Sequence, residues 1–198
     1  MYDRATDSLW NQFTGKPVTG PLLGSGITLQ VLPVALTSWS AWRAAHPDTR
    51  VLSQETGFVR NHAPGGAYGS YFASRDLAFP AAVRNQAAQK DLAFGIRVPG
   101  GVKAWPLSRF RGGAIVNDQV GLLDVVVIGE DGGGVRAYES QGRTFKREGP
   151  DTLATANERW TVTEAALTGP DGRSLRRLPG HVAYRFAWEG YFGAGVAP

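Results

Sequence analysis

Five turn signals between residues 99 and 142 confine this chain more tightly than anything else in it. They are Pro99-Gly100-Gly101, Arg111-Gly112-Gly113, Val120-Gly121, the run from Glu130 to Gly134, and Ser140-Gln141-Gly142. They fall roughly ten residues apart, which leaves room for short strands and none for a helix of ordinary length. The segments between and around them are apolar or alternating: "LAFGIRV", "VKAWPL", "GAIVNDQV", "LLDVVVIG", "VRAYES" and "RTFKRE". A β-meander or small half-barrel is expected from residue 91 to about 150. The 26 Gly and 12 Pro among 198 residues, with few long polar helical runs, extend the preference to the rest of the chain. The fold class expected is therefore mainly β, a β-rich α+β chain with one or two short helices.

One of those helices is predicted in "TSWSAWRAAHPDT". Thr37 or Ser38 serves as N-cap, Trp39, Trp42 and Arg43 keep helical spacing, and His46-Pro47 ends it. The opening "MYDRATDSLWNQFTG" places Ser8, Trp10, Gln12 and Thr14 on one face and Leu9 and Phe13 on the other, then turns through "KPVTGP" and "LGSG". That reads as strand, turn, strand. Residues 51–90 are rich in Gly and Ser and lack periodicity. They read as a long structured loop that Tyr68, Tyr71, Phe72 and Phe79 can anchor.

One clause occurs twice. "LQVLPVALTSWSAW" (Leu29 to Trp42) and "LRRLPGHVAYRFAW" (Leu175 to Trp188) share L-x-x-L-P-x8-W with Ala before the Trp. Each follows a Trp and a Thr-Gly-Pro, Trp10 with Thr19 to Pro21 and Trp160 with Thr168 to Pro170. The same order with small changes in loop length points to an internally duplicated unit of meander plus clause. The duplication is lopsided, because the meander of residues 91–150 precedes only the second clause. The expected organisation is 1–50 as the tail of a first repeat, 51–90 as a connector and 91–198 as a complete second repeat, packed as one globular domain. An incomplete first repeat leaves an apolar face or an unpaired strand edge near residues 1 to 35, so self-association or a partner chain covering it is expected.

The pieces "MYDRATDSLWNQFTGKPVTGP", "HPDTRVLSQETGF", "YGSYFASRDLAFP", "VKAWPL", "IVNDQVG" and "VRAYES", in this order, resemble the bacterial and archaeal family called domain of unknown function three-one-seven-nine. The resemblance runs from Met1 to about Tyr191. It implies an architecture and no established activity. It also implies a further segment upstream of "MYDR", similar to residues 91–150, with a Cys-Pro-Leu-Cys-Gly-Thr motif and a Trp-His-Glu motif, and in many members an export signal. Gly129 and Gly132 stand where those cysteines would align, and "SRFRGGAIVND" has no His or Glu at the place of the second motif. The resemblance thus points outside the cytoplasm. A chain that truly starts at Met1 would be cytoplasmic, since "MYDRATDSLW" has no basic start followed by an apolar core.

Composition narrows the chemistry. The net charge is +4, but Lys and Arg are scattered among 17 acidic residues with no long like-charged run. The densest cluster, Arg173, Arg176 and Arg177, reads as a solvated strand edge guarded by charge rather than a nucleic-acid stripe. Cysteine is absent, which removes disulfides, thiolate nucleophiles and Cys-ligated metal. No apolar run is long enough for a membrane helix. His46, His62 and His181 lie far apart, so no metal site and no cofactor is expected of them. "GPLLGSG" and "EDGGGVRA" lack the Lys-Ser/Thr of a phosphate loop, and no G-x-S-x-G elbow occurs, so no catalytic residue is assigned. Asn117-Asp118 reads as a turn former and Glu130-Asp131 as a hairpin tip. Trp10, Trp42, Trp160 and Trp188 read as core positions.

The binding surface expected is the long loop, with His62, Tyr68, Tyr71, Phe72, Arg75 and Asp76 on a glycine-rich frame. A competing role for those aromatics is to pin the loop over the join between repeats. Two functions follow: a non-catalytic β-rich structural or ligand-binding module, or a fragment or subunit of a thiol- or metal-dependent redox enzyme whose reactive half lies elsewhere.

Overall fold

The computed structural model of the chain describes residues 1–63, 65–78 and 86–193, and the protein is mainly β. Two compact units are present, Met1–Pro33 and Val34–Pro198.

The first unit is a small antiparallel sheet of β1 (Tyr2–Asp3), β2 (Ser8–Trp10) and β3 (Pro17–Thr19), in that spatial order. Alternation in β2 sends Ser8 and Trp10 inward and leaves Leu9 exposed, as its sequence pattern requires. The Asp3 carboxylate closes the β1–β2 turn by accepting the Ala5 N–H at 2.9 Å and the Thr6 hydroxyl at 2.6 Å. Gly20 follows β3 at φ +96°, where a Cβ would stand 2.5 Å from the Asp7 carbonyl oxygen, so the Thr-Gly-Pro step needs its glycine.

In the second unit α1 (Trp39–Ala45) and α2 (Gly69–Ala73) precede the strands. These are β4 (Leu92–Val98), β5 (Gly101–Pro106), β6 (Ile115–Val120), β7 (Leu123–Gly129), β8 (Val135–Glu139), β9 (Lys146–Gly149), β10 (Thr152–Ala154), β11 (Arg159–Val162), β12 (Ala166–Thr168), β13 (Ser174–Leu178) and β14 (Gly180–Tyr184). Helix α3 (Arg185–Phe192) follows. One sheet has the order β6-β7-β8-β13-β12-β11-β10-β9, the other β14-β4-β5, and every pairing is antiparallel. Helix α1 forms as its sequence predicts. Ser38 caps it, its hydroxyl accepting the Ala41 N–H at 3.2 Å, and His46 ends it.

The apolar run of β7 is buried on both faces and joins two cores. Val125 and Val127 pack with Phe94, Ile96, Trp105, Phe110 and Leu178, while Val126 and Ile128 pack with Tyr138, Phe145, Leu153, Trp160, Leu167 and Leu175. Phe145 meets Trp160 edge to face with ring centroids 5.8 Å apart. "SRFRGG" is more than the turn its glycines imply: Leu107–Gly113 forms two short 3-10 turns kinked at Arg111 and Gly112, and drops Phe110 into the first core.

The second clause makes the corner between the sheets. Leu175 and Leu178 lie in β13, beside β8; Pro179, unable to donate to a ladder, follows; β14 then pairs with β4 in the other sheet. Trp188 on α3 is 1% exposed and lies over Gly95, where a Cβ would come within 2.5 Å of its indole. The first clause takes another form. Residues 26–38 belong to no strand or helix, and Trp42 is 43% exposed, so the expectation that all four clause tryptophans are core fails at Trp42.

Two further expectations are corrected by topology. Asn117-Asp118 is not a turn: both sit within β6, where the Asn117 amide receives the Phe145 N–H at 2.7 Å and donates to the Phe145 carbonyl at 2.9 Å. Arg177 does not guard an edge, because β13 lies between β8 and β12, and its side chain is buried.

Candidate binding surfaces

The long loop contributes a short aromatic helix. Tyr68 precedes α2, and Tyr71 and Phe72 lie on it. Lys90 fixes this helix: its ammonium donates to the carbonyls of Tyr71 at 2.6 Å and Ser74 at 2.8 Å and stands 3.5 Å from the centre of the Tyr71 ring. Tyr71 also meets Tyr184 edge-on at 6.4 Å. Gln89 donates to the Arg75 carbonyl at 2.6 Å, and the Asp76 carboxylate accepts the Ser74 hydroxyl at 3.1 Å.

Of the residues expected on this surface, Tyr68, Tyr71 and Phe72 are brought together, with Phe72 6.3 Å from each of the other two rings. Tyr68 and Phe72 are exposed and Tyr71 is half-buried. Arg75 and Asp76 follow directly and serve to hold the chain. His62 is exposed and makes no ring contact or hydrogen bond with the others among the described residues. Phe79, named as a fourth anchor, lies outside the described residues. Lys90, Gln89 and Tyr184 were missed, since nothing local in the sequence marks partners so distant along the chain.

From Lys90 a groove of about 650 Å³ runs between Asp91 and Leu92, the Leu107–Gly113 stretch and the Glu130–Gly133 hairpin. A second groove, of about 510 Å³, lies on the other side of that hairpin, under α1. The hairpin seats α1: the Gly132 carbonyl accepts the Ser38 N–H at 3.0 Å and the Thr37 hydroxyl at 3.3 Å, and a Cβ on Gly132 would come 2.5 Å from that of Ala41.

Several of the charges lining this second groove are engaged in holding the sheet. Arg147 donates from Nε to the Gly113 carbonyl at 2.7 Å, from Nη1 to those of Gly149 and Pro150, and from Nη2 to that of Gly129. Arg136 pairs with Glu130 and, at 2.7 Å, with Glu164, which also accepts from Arg177. Burial works to raise the Glu164 carboxyl, but the Arg177 and Arg136 guanidinia outweigh it and hold it below its ordinary value. Burial also pushes the neighbouring Tyr138 phenol up to about 12, and its hydroxyl donates to the Thr163 carbonyl at 2.8 Å. On β6, burial works against the Asp118 carboxylate, yet it is held low by Lys103 at 2.8 Å, the Gln119 N–H and the Trp105 indole at 3.0 Å.

The other surface is in the first unit. Ile27, Leu29 and Leu32 are exposed, and among the described residues two backbone groups of the Ile27–Leu32 stretch are engaged, the Leu29 N–H by the Gly15 carbonyl at 2.8 Å and the Ile27 N–H by the Ser25 hydroxyl at 3.3 Å. The surface falls where an apolar face or unpaired edge was expected, near residues 1 to 35, and a further signal marks it: from Pro17 to Trp42 the sequence contains no Asp, Glu, Lys, Arg or His. No group of three or more His, Cys, Asp or Glu placed to hold a metal occurs among the described residues, and none of their helices is long and apolar enough to cross a membrane.

Residues 1–195 match the model of the family described as Protein of unknown function (DUF3179). The chain belongs to this family. The match spans both compact units and both clauses, so the family pattern includes the exposed first clause as well as the buried second. Comparison with curated proteins and with solved structures returned no match.

Proposed function

We propose that this chain is a non-catalytic, β-rich binding module, built from one complete and one partial copy of a duplicated unit, that engages another polypeptide through its first clause. The carrying observation is the contrast between the clauses. The second is woven into two sheets and buries its Trp188, whereas the first leaves a strand-like apolar sequence, Ile27 to Leu32, largely exposed, with no strand paired to it among the described residues. Unpaired N–H and C=O groups flanked by apolar side chains are what strand addition uses. Three charged groups of the second groove support the same reading, since Arg147, Arg136 and Glu164 hold strands and hairpins together.

The test is oxidative footprinting of the protein in the assembly isolated from its own cells, compared with the purified chain. Leu29 and Leu32 should be labelled in the purified chain and shielded in the native assembly. Equal labelling in both would contradict a binding role for this clause.

A further inference from the structure

We propose that the occupant of the first clause is a second copy of this chain, paired antiparallel through Ile27–Leu32 about a twofold axis. The inference rests on the binding-module reading and names its partner.

The segment has the limits of a strand. Gly26, at φ +77°, marks its start, and Pro33, with no N–H to donate, marks its end. Between them "ITLQVL" is rich in β-branched and apolar residues, with Ile27, Leu29 and Val31 on one face and Thr28, Gln30 and Leu32 on the other. Ile27 and Leu29 turn their N–H groups to Ser25 and Gly15 of their own chain, which leaves the Thr28 and Gln30 side of the segment open, with strong β propensity and none of the lysines, prolines or inward charges that ordinarily block edge pairing within it.

Charge selects the partner. A chain of net charge +4 repels its own copies in general, so a self-contact belongs where charge is absent. The stretch from Pro17 to Trp42 supplies that place. A strongly charged partner would have to desolvate its charges against an uncharged apolar strand, which is costly without counter-charges. A second copy brings none. With the axis at Leu29, Leu29 lies opposite Leu29 of the partner subunit, Thr28 opposite Gln30 of the partner subunit, and Ile27 opposite Val31 of the partner subunit. Every cross-strand pair is uncharged, and the outermost is apolar on both sides. The contact is isologous, so it closes as a dimer.

The experiment is sedimentation equilibrium of the purified full chain over a wide concentration range, with the Leu29→Asp/Leu32→Asp double variant alongside. The wild type should pass from monomer to dimer as concentration rises. The variant should stay monomeric at concentrations where the wild type is mostly dimer, with an unchanged melting temperature because both residues are exposed. Should the variant misfold, amide exchange on the wild type decides instead, with Thr28 and Gln30 slowing as the dimer fills. A wild type that is monomeric throughout, or a dimer that survives the double substitution, overturns the inference. If footprinting still shows Leu29 and Leu32 shielded in the native assembly, the binding reading stands with a different partner; equal labelling there ends both.

Discussion

At the scale of single residues, the loop aromatics divide into a staple and a free surface. Tyr71 carries the Lys90 ammonium over its ring and the edge of Tyr184, so Tyr71→Ala should cost about 1–2 kcal/mol. Tyr68→Ala removes an exposed ring and should stay within about 0.5 kcal/mol. Chemical denaturation of the two variants checks the division. Asp118 gives a pH dependence. Its folded-state carboxyl is held below the ordinary value, so its contribution is fully present above the unfolded pKa and is lost as pH falls through the folded one. The stability gap between wild type and Asp118→Asn should therefore be constant at neutral pH and shrink below about pH 4. A gap that persists or widens in acid would contradict the assignment. Residue types alone reveal little of this. Tyr68, Tyr71 and Phe72 were legible as a cluster because they are neighbours in sequence, while Lys90 and Tyr184 come to them through the fold. Trp42 matched Trp188 in pattern and not in burial, because a clause becomes core only when strands cover it.

At the scale of elements, local chemistry was sufficient where turns are tight and strands apolar. The strands between Leu92 and Glu139 and the cap and stop of α1 follow from glycine steps, alternation and Ser38. Beyond residue 150 the strands are three to five residues long, polar on one side and broken by "TANE" and "TGPDG"; β10, β11 and β12 pair with their sequence neighbours, while β13 also pairs with β8 and β14 pairs with β4, far back in the chain. Their existence depends on the sheet that receives them. One contact in each sheet shows how it is held. A Cβ at Gly95 would enter the Trp188 ring, so Gly95→Ala should destabilise by about 1–3 kcal/mol, read as a lowered melting temperature. Arg147 satisfies carbonyls of Gly113, Gly129, Gly149 and Pro150, so Arg147→Met, which keeps the stem and removes the donors, should cost about 3 kcal/mol in denaturant titration.

At the scale of the whole molecule, the account turns on one sequence clause having two structural fates. In the second position the clause is held by β8 and β4 and ends in a buried tryptophan. In the first, Ile27 to Leu32 awaits a strand. Amide hydrogen exchange on the dilute purified chain compares the two positions within one sample. The prediction is rapid exchange at Thr28, Gln30, Val31 and Leu32 and strong protection at Leu175–Leu178, separated by several orders of magnitude, because sheet-core amides exchange only through large openings. Comparable slow exchange at both would mean that the first clause is already paired within its own chain, and would contradict the binding role assigned to it.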